Sequence, residues 1–134
     1  MKVNQISVFA ENKSGSLADI SALLGENNID IRAMSLADKT DFGIVRMIVS
    51  DTDKALKIFK DNGFAVKCSE VTALSIANTP GGLAEVLAVL KSEDIVVEYL
   101  YAFVGKNDKR AKVVMKLSDP DTAEQLFSAK LYND

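Results

Sequence analysis

The chain has 134 residues, a length that suits one compact domain or two very small ones. Its composition, 48% hydrophobic and 26% charged, is that of a globular protein and excludes a highly charged disordered chain. A net charge of −3 argues against nucleic acid and anionic membranes as partners, and the absence of histidine removes the commonest general base and nitrogen metal ligand.

Without histidine neither a Ser-His-Asp nor a Cys-His arrangement can be built, so the expectation is no catalytic residues, no metal and no cofactor. Cys68 is the only cysteine, so no intrachain disulfide forms, and a reducing cytoplasmic location is expected. Cys68 itself reads as a small buried hydrophobe, with only Lys67 beside it to favour a thiolate. The first ten residues alternate in polarity, unlike a signal peptide, and no run approaches the roughly 18 apolar residues of a membrane span. A soluble, intracellular protein is expected.

In chain order, Ile6, Val8 and Ala10 alternate with Gln5, Ser7 and Phe9, the periodicity of a strand. A turn follows, and then Leu17, Ile20, Leu23 and Leu24 recur at helical spacing, with Ser16 and Asp19 placed like a capping box. Asn27 and Asn28 stop this helix. Residues 29–38 and 42–50 are β-rich runs flanking a hairpin at Lys39, Thr40 and Asp41. Asp51 is placed to cap a second helix, whose apolar side carries Ala55, Ile58 and Phe59. Asn62 and Gly63 end it, and residues 64–69 form a last strand.

The rest of the chain repeats this pattern. A shift of 66 puts Asn12, Gly15, Leu17, Ala18, Leu24 and Ile29 on Asn78, Gly81, Leu83, Ala84, Leu90 and Ile95. A shift of 68 puts Val45, Met47, Ser50, Asp51, Asp53, Ala55 and Phe59 on Val113, Met115, Ser118, Asp119, Asp121, Ala123 and Phe127. The extra two residues fall in the hairpin that the second copy stretches over residues 104–110. Pro120 after Asp119 suits the first position of a helix.

The fold class is therefore α+β: two ferredoxin-like βαββαβ units in tandem, residues 1–69 and 70–134, with helices on one face of antiparallel sheets. The second unit runs short. Only Tyr132, Asn133 and Asp134 remain where residues 64–69 have their match, so its last strand is truncated. Its edge is missing, or is completed by something else such as a second chain.

The turn before the first helix reads Asn12-Lys13-Ser14-Gly15-Ser16-Leu17 in one copy and Asn78-Thr79-Pro80-Gly81-Gly82-Leu83 in the other. Glycine admits a ligand close to the backbone, and a helix N-terminus offers N–H groups suited to a carboxylate. An asparagine side chain both donates and accepts, as an amino acid's ammonium and carboxylate require. The same residue types also dominate ordinary turns.

This βαββαβ order, with an Asn-x-Pro-Gly-x-Leu turn ahead of the first helix, resembles the ACT domain family, and the tandem pair resembles small stand-alone double-ACT proteins. The resemblance implies an amino-acid-binding regulatory module, whose ligand sits where two units meet. It implies ligand-binding positions at Asn12, Ser14, Gly15, Ser16 and Leu17, and at Asn78, Pro80, Gly81, Gly82 and Leu83. Facing positions implied on second strands are Met34 and Ser35, and Leu100 and Tyr101. The first copy carries Ser14 where the family has proline, so the two sites need not be equivalent.

Three further patterns read as structural. Tyr99, Tyr101 and Phe103 alternate on one strand face near Lys106, Lys109, Arg110 and Lys112, but the matching positions in copy one are Ala33, Ser35 and Ala37, and no RNA-binding signature is present. These rings are expected to pack against a partner unit or to line a pocket. Asp51, Asp53, Asp119 and Asp121 lie at helix starts, where capping and the dipole favour them, and do not form a metal site. Lys54, Lys57 and Lys60 form a solvated helix face. The expected function is a non-catalytic sensor of a free amino acid, homodimeric and acting on a regulated enzyme. A metabolic enzyme or enzyme subunit on the same fold, and a ligand-free dimerisation module, are the alternatives.

Overall fold

The computed structural model describes residues 1–11, 13–38, 42–103 and 109–129. Its elements run in the order β1 (Lys2–Glu11), α1 (Ser16–Glu26), β2 (Ile31–Asp38), β3 (Phe42–Val49), α2 (Thr52–Asp61), β4 (Ala65–Ala77), α3 (Gly82–Ser92), β5 (Val97–Phe103), β6 (Arg110–Leu117) and α4 (Pro120–Ala129). Two compact units result, one of Asn4–Ser69 and one of Glu70–Asp134 together with Met1–Val3. The expected α+β class and the doubled strand and helix order both hold.

In the Asn4–Ser69 unit the strands lie in the order β2-β3-β1, with the start of β4 beside β1. β3 runs antiparallel to both neighbours, and its register sets Val45 against Val8 and Met47 against Ile6. Alternation then places these side chains on one sheet face. α1 buries Ile20 and Leu24, α2 buries Ala55 and Phe59, and all of them join the sheet's apolar residues in one core. Both helices therefore cover the same face. Leu17, the first residue of the expected α1 stripe, remains 38% exposed.

The other unit has the strand order β4-β6-β5 and a matching core that includes Leu74, Val86, Leu90, Met115 and Phe127. Its two antiparallel pairings set Leu74 against Val113 and Leu100 against Met115. Phe59 and Phe127, matched by the repeat, are both fully buried.

Two features of the strands differ from the sequence reading. A separate strand over residues 64–69 was expected before the boundary at 69/70. Instead β4 is one strand of 13 residues that crosses that boundary. Nothing in Ala65–Ala77 breaks it, for the segment has no glycine or proline and includes Val66, Val71, Thr72 and Ile76.

The second difference concerns the short end of the repeat. Tyr132, Asn133 and Asp134 lie outside the described residues. The edge beside Ala73 is taken by the chain's own first three residues. The Ala73 N–H donates to the Met1 carbonyl at 2.8 Å, and the Met1 ammonium donates to the Ala73 carbonyl at 3.1 Å. The same ammonium lies 3.2 Å from a carboxylate oxygen of Glu124 on α4. Lys2 Nζ donates to Asp121 at 2.8 Å and sits 3.8 Å from Glu70. The bond to Asp121 and the charges of Asp121 and Glu70 raise the Lys2 pKa above the ordinary lysine value.

Helix ends follow local chemistry. Asp51 accepts from the Lys54 N–H at 3.1 Å, and Asp119 accepts from the Thr122 N–H at the same distance, so both are side-chain caps as expected. The Thr122 hydrogen bonds hold the Asp119 carboxyl below the usual carboxylate range. Asn27 and Asn62 each follow a helix and donate back to carbonyls of Leu23 and Ile58. Lys54, Lys57 and Lys60 are exposed, as the charge spacing implied. Cys68 is exposed rather than buried, since it lies on β4 outside either core cluster. The hairpin at Lys39, Thr40 and Asp41 lies outside the described residues, as do residues 104–108 of the longer one.

Candidate functional site

The two matched turns are built alike. Gly15 has φ 90° and ψ −12°, Gly81 has φ 89° and ψ −8°, and each is the residue from which the following helix starts. A Cβ at either position meets nothing within 4 Å, so it is the left-handed backbone and not crowding that requires glycine. This arrangement corrects the expected capping box. Ser16 is the first residue of α1, one place too late to cap it, and the residue in the capping place has no side chain to offer the first-turn amides. α2 and α4, by contrast, start under aspartate caps.

Each helix is tied back by its own turn. The Asp19 N–H donates to the Gly15 carbonyl at 2.9 Å, and the Glu85 N–H donates to that of Gly81 at 3.0 Å. Ser14, Gly15, Pro80 and Gly81 are all exposed, and so are Leu17 and Leu83, at 38% and 37%. An exposed leucine thus follows the turn at the same place in both units. Asn78 is half-buried and its N–H donates to the Lys109 carbonyl at 3.0 Å. Asn12 lies outside the described residues.

The turns part company one residue after the glycine. Gly82 is buried, its N–H donates to the Thr79 carbonyl at 3.0 Å, and a Cβ there collides with the carbonyl oxygen of Ala77. Its match, Ser16, carries a side chain and makes the longer bond to the Lys13 carbonyl, 3.4 Å. The turn with serine in place of proline is therefore also the more open one.

Beside that open turn lies a cleft of about 350 Å³ within the Asn4–Ser69 unit. Phe9, Ala10 and Glu11 from the end of β1 form one wall, Lys13, Ser16 and Asp19 a second, and Gly63, Phe64 and Ala65 from the α2–β4 junction the third. Lys13 Nζ sits 3.1 Å from a Glu11 carboxylate oxygen, with both side chains well exposed. Among the described residues the lining thus includes charged Glu11, Lys13 and Asp19, while the Phe9 ring, alternating with the core-facing Ala10, stands on the other face of β1 beside Phe42. Of the predicted positions among the described residues, Ser16 alone lines it. In the sequence Glu11 and Lys13 read only as turn residues, and Asp19 as the partner of Ser16 in a capping box.

The facing positions separate by strand geometry. In β2, Met34 pairs with Met47 on the helix-covered face, while Ser35 pairs with Arg46 on the other. In β5, Leu100 pairs with Met115 and Tyr101 with Val114, so these neighbours also point to opposite faces. No single surface can use both members of either pair. Tyr99 and Tyr101 are half-buried and Phe103 is 73% exposed. Among the described residues no group of histidine, cysteine or carboxylate side chains is arranged to hold a metal, and no helix is long and apolar enough to cross a membrane.

A family model described as an ACT domain pair matches residues 1–132. Among solved structures, a protein of Bacteroides thetaiotaomicron is 41% identical with a TM-score of 0.93, over 99% of this chain and 91% of that one. The regulatory subunit of aspartate kinase from Thermus thermophilus, in a ligand-free form, superposes with a TM-score of 0.71 at 16% identity, over 94% and 89% of the two chains. The aspartate kinase of Synechocystis superposes with a TM-score of 0.68 at 18% identity, over 96% of this chain and 24% of the enzyme. None of the curated proteins matches the chain.

Proposed function

From the premise that the chain belongs to the ACT domain-pair family, we propose that it is a regulatory protein without an active site of its own, which binds a free amino acid at its glycine turns and reports the amino acid's level to an enzyme. The observation that carries this reading is the pair of turns at Gly15 and Gly81, with φ of 90° and 89°. Glycine in the capping place leaves the first-turn amides without a cap from that residue, and a carboxylate fits such amides and the positive end of the helix dipole. Predicted contacts are Asn12, Ser14, Gly15, Ser16 and Leu17 in one unit and Asn78, Pro80, Gly81, Gly82 and Leu83 in the other.

In a homodimer of the chain, a second strand of a neighbouring ACT unit closes the site, through Met34 or Ser35 and through Leu100 or Tyr101. Reporting is then a matter of linkage: the amino acid binds one assembly state more tightly and shifts the population toward it. The proposed setting is the cytoplasm, away from nucleic acid and membrane, which the net charge of −3 fits.

Thermal unfolding against each of the twenty amino acids tests the reading. A ligand present at 100 times its dissociation constant stabilises by about 2.7 kcal/mol, a shift of several degrees at this size. Gly15→Val and Gly81→Val each force a side chain into left-handed backbone, at a strain of about 1–2 kcal/mol per site, which a folded domain tolerates. One or both variants are expected to lose the shift while keeping their circular dichroism. A shift that survives in both variants overturns the site. No shift with any amino acid favours a ligand-free dimerisation module, and turnover of a metabolite favours an enzyme.

A further inference from the structure

We infer that the face of β5 and β6 turned away from the helices docks an acidic, extended segment of the enzyme that the chain is proposed above to regulate, an inference that rests on that reading. Register builds the surface. Tyr99 pairs with Lys116, Tyr101 with Val114 and Phe103 with Lys112, while Val113, Met115 and Leu117 alternate with them into the core. Arg110 extends the same alternation, with its guanidinium held on Ser75. A row of three rings thus lies beside a row of cations, about 4.8 Å away. Phe103 is 73% exposed, and Lys112 is exposed as well. Neither Lys112 nor Lys116 is ion-paired with a described residue. On a chain of net charge −3, every charged side chain that this register places on the face is a cation.

The matched face of the other unit differs at each of these places. By the shift of 66, Tyr99, Tyr101 and Phe103 answer to Ala33, Ser35 and Ala37, and by the shift of 68 Lys112, Val114 and Lys116 answer to Ile44, Arg46 and Ile48. That unit builds the same strands and core with small and aliphatic side chains there, so the fold itself does not call for the rings or the lysines. Aromatic side chains supply large contact area once a partner covers them, and tyrosine is enriched among the residues that carry protein interfaces. Two or three cations suit an acidic peptide segment. A nucleic acid strand draws on more phosphate contacts, and the negative charge of the chain opposes a polyanion. β5 is also last in the strand order, so among the described residues no strand closes its flank, and an extended segment can lie along it. Leu100 points to the opposite face and stays available to the proposed amino-acid site.

Fluorescence anisotropy of a labelled peptide that alternates glutamate and leucine, titrated with the full chain, tests this. Saturable binding is expected, weakening as salt rises from about 0.05 to 0.5 M. Affinity is expected to fall at least about tenfold in Phe103→Ala and in the double variant Lys112→Glu, Lys116→Glu, the loss expected at the centre of an interface. Lys60→Glu, the same charge change at an exposed place on α2, is expected to bind like the parent. A peptide alternating lysine and leucine, and a single-stranded oligothymidine, are expected not to bind. Unchanged circular dichroism checks that each variant folds. No binding of the glutamate peptide, unchanged affinity in either face variant, an equal loss in Lys60→Glu, or preference for the lysine peptide or the oligothymidine overturns the docking surface. Thermal shifts of the same proteins with amino acids keep the two readings apart. A parent chain that shifts but does not take the glutamate peptide loses the docking surface alone, and one that takes the peptide but shifts with no amino acid loses the sensor reading alone.

Discussion

Phe9 and Phe42 meet with ring centroids 6.0 Å apart in the Asn4–Ser69 unit, whereas the matched positions of the other unit hold Ser75 and Arg110, joined by two hydrogen bonds. The cores tell the opposite story. Ile20, Leu24, Met47 and Phe59 have Val86, Leu90, Met115 and Phe127 as matches, and all eight are buried. The two copies hold their folds together with one set of contacts and differ where the first strand ends and the first helix begins. These side chains differ without touching the core, so the contrast separates what builds each unit from what is free to vary between them.

The largest expected effects test the shared part. Phe59→Ala and Phe127→Ala each remove a fully buried ring, at a cost of about 3–5 kcal/mol, and urea unfolding should give losses of similar size. A markedly smaller loss in one would break the equivalence of the cores. Next comes the turn. Gly82→Ala drives a Cβ into the Ala77 carbonyl and should destabilise by about 1–3 kcal/mol, while Ser16→Ala at the matched place should stay within about 0.5 kcal/mol. Equal costs would mean that the turns are as alike in packing as they are in backbone angle.

A smaller effect concerns the helices that do have side-chain caps. Asp51→Ala should cost about 1 kcal/mol by the same unfolding assay, for it removes the acceptor of the Lys54 N–H. The smallest is a pH effect. The Asp119 carboxyl is held below the usual range by its bonds to Thr122, so its stabilisation is present at neutral pH and is lost as the pH falls through that lowered value. The difference in melting temperature between the parent chain and Asp119→Asn should therefore shrink as the pH is lowered from neutral to about 3. A difference that grows on acidification contradicts the assignment.

Most of the architecture was legible because periodicity reports burial directly. The alternation at Ile6, Val8 and Ala10 and the spacing of Ala55 and Phe59 are consequences of one covered sheet face, and the structure covers that face. The aspartate caps were legible for a similar reason, being local. The capping box at Ser16 and Asp19 failed because the same letters fit a helix beginning one residue earlier, and only a backbone angle, φ of 90° at Gly15, decides between them. The exposed Cys68 and the unbroken β4 were illegible because both depend on which neighbour a strand finds. The turn was visible as a motif, but the cleft was not, since Gly63, Phe64 and Ala65 come to it from 50 residues down the chain.

The pairing of Met1 with Ala73 has a consequence for anyone who wishes to study the copies apart. A gene cut at the repeat boundary yields a 70–134 fragment whose Ala73 backbone has lost its hydrogen-bond partner, and an open strand edge is a template for aggregation. A 1–69 fragment keeps residues 65–69 beside β1 and leaves unpaired the Met1 backbone that Ala73 engages.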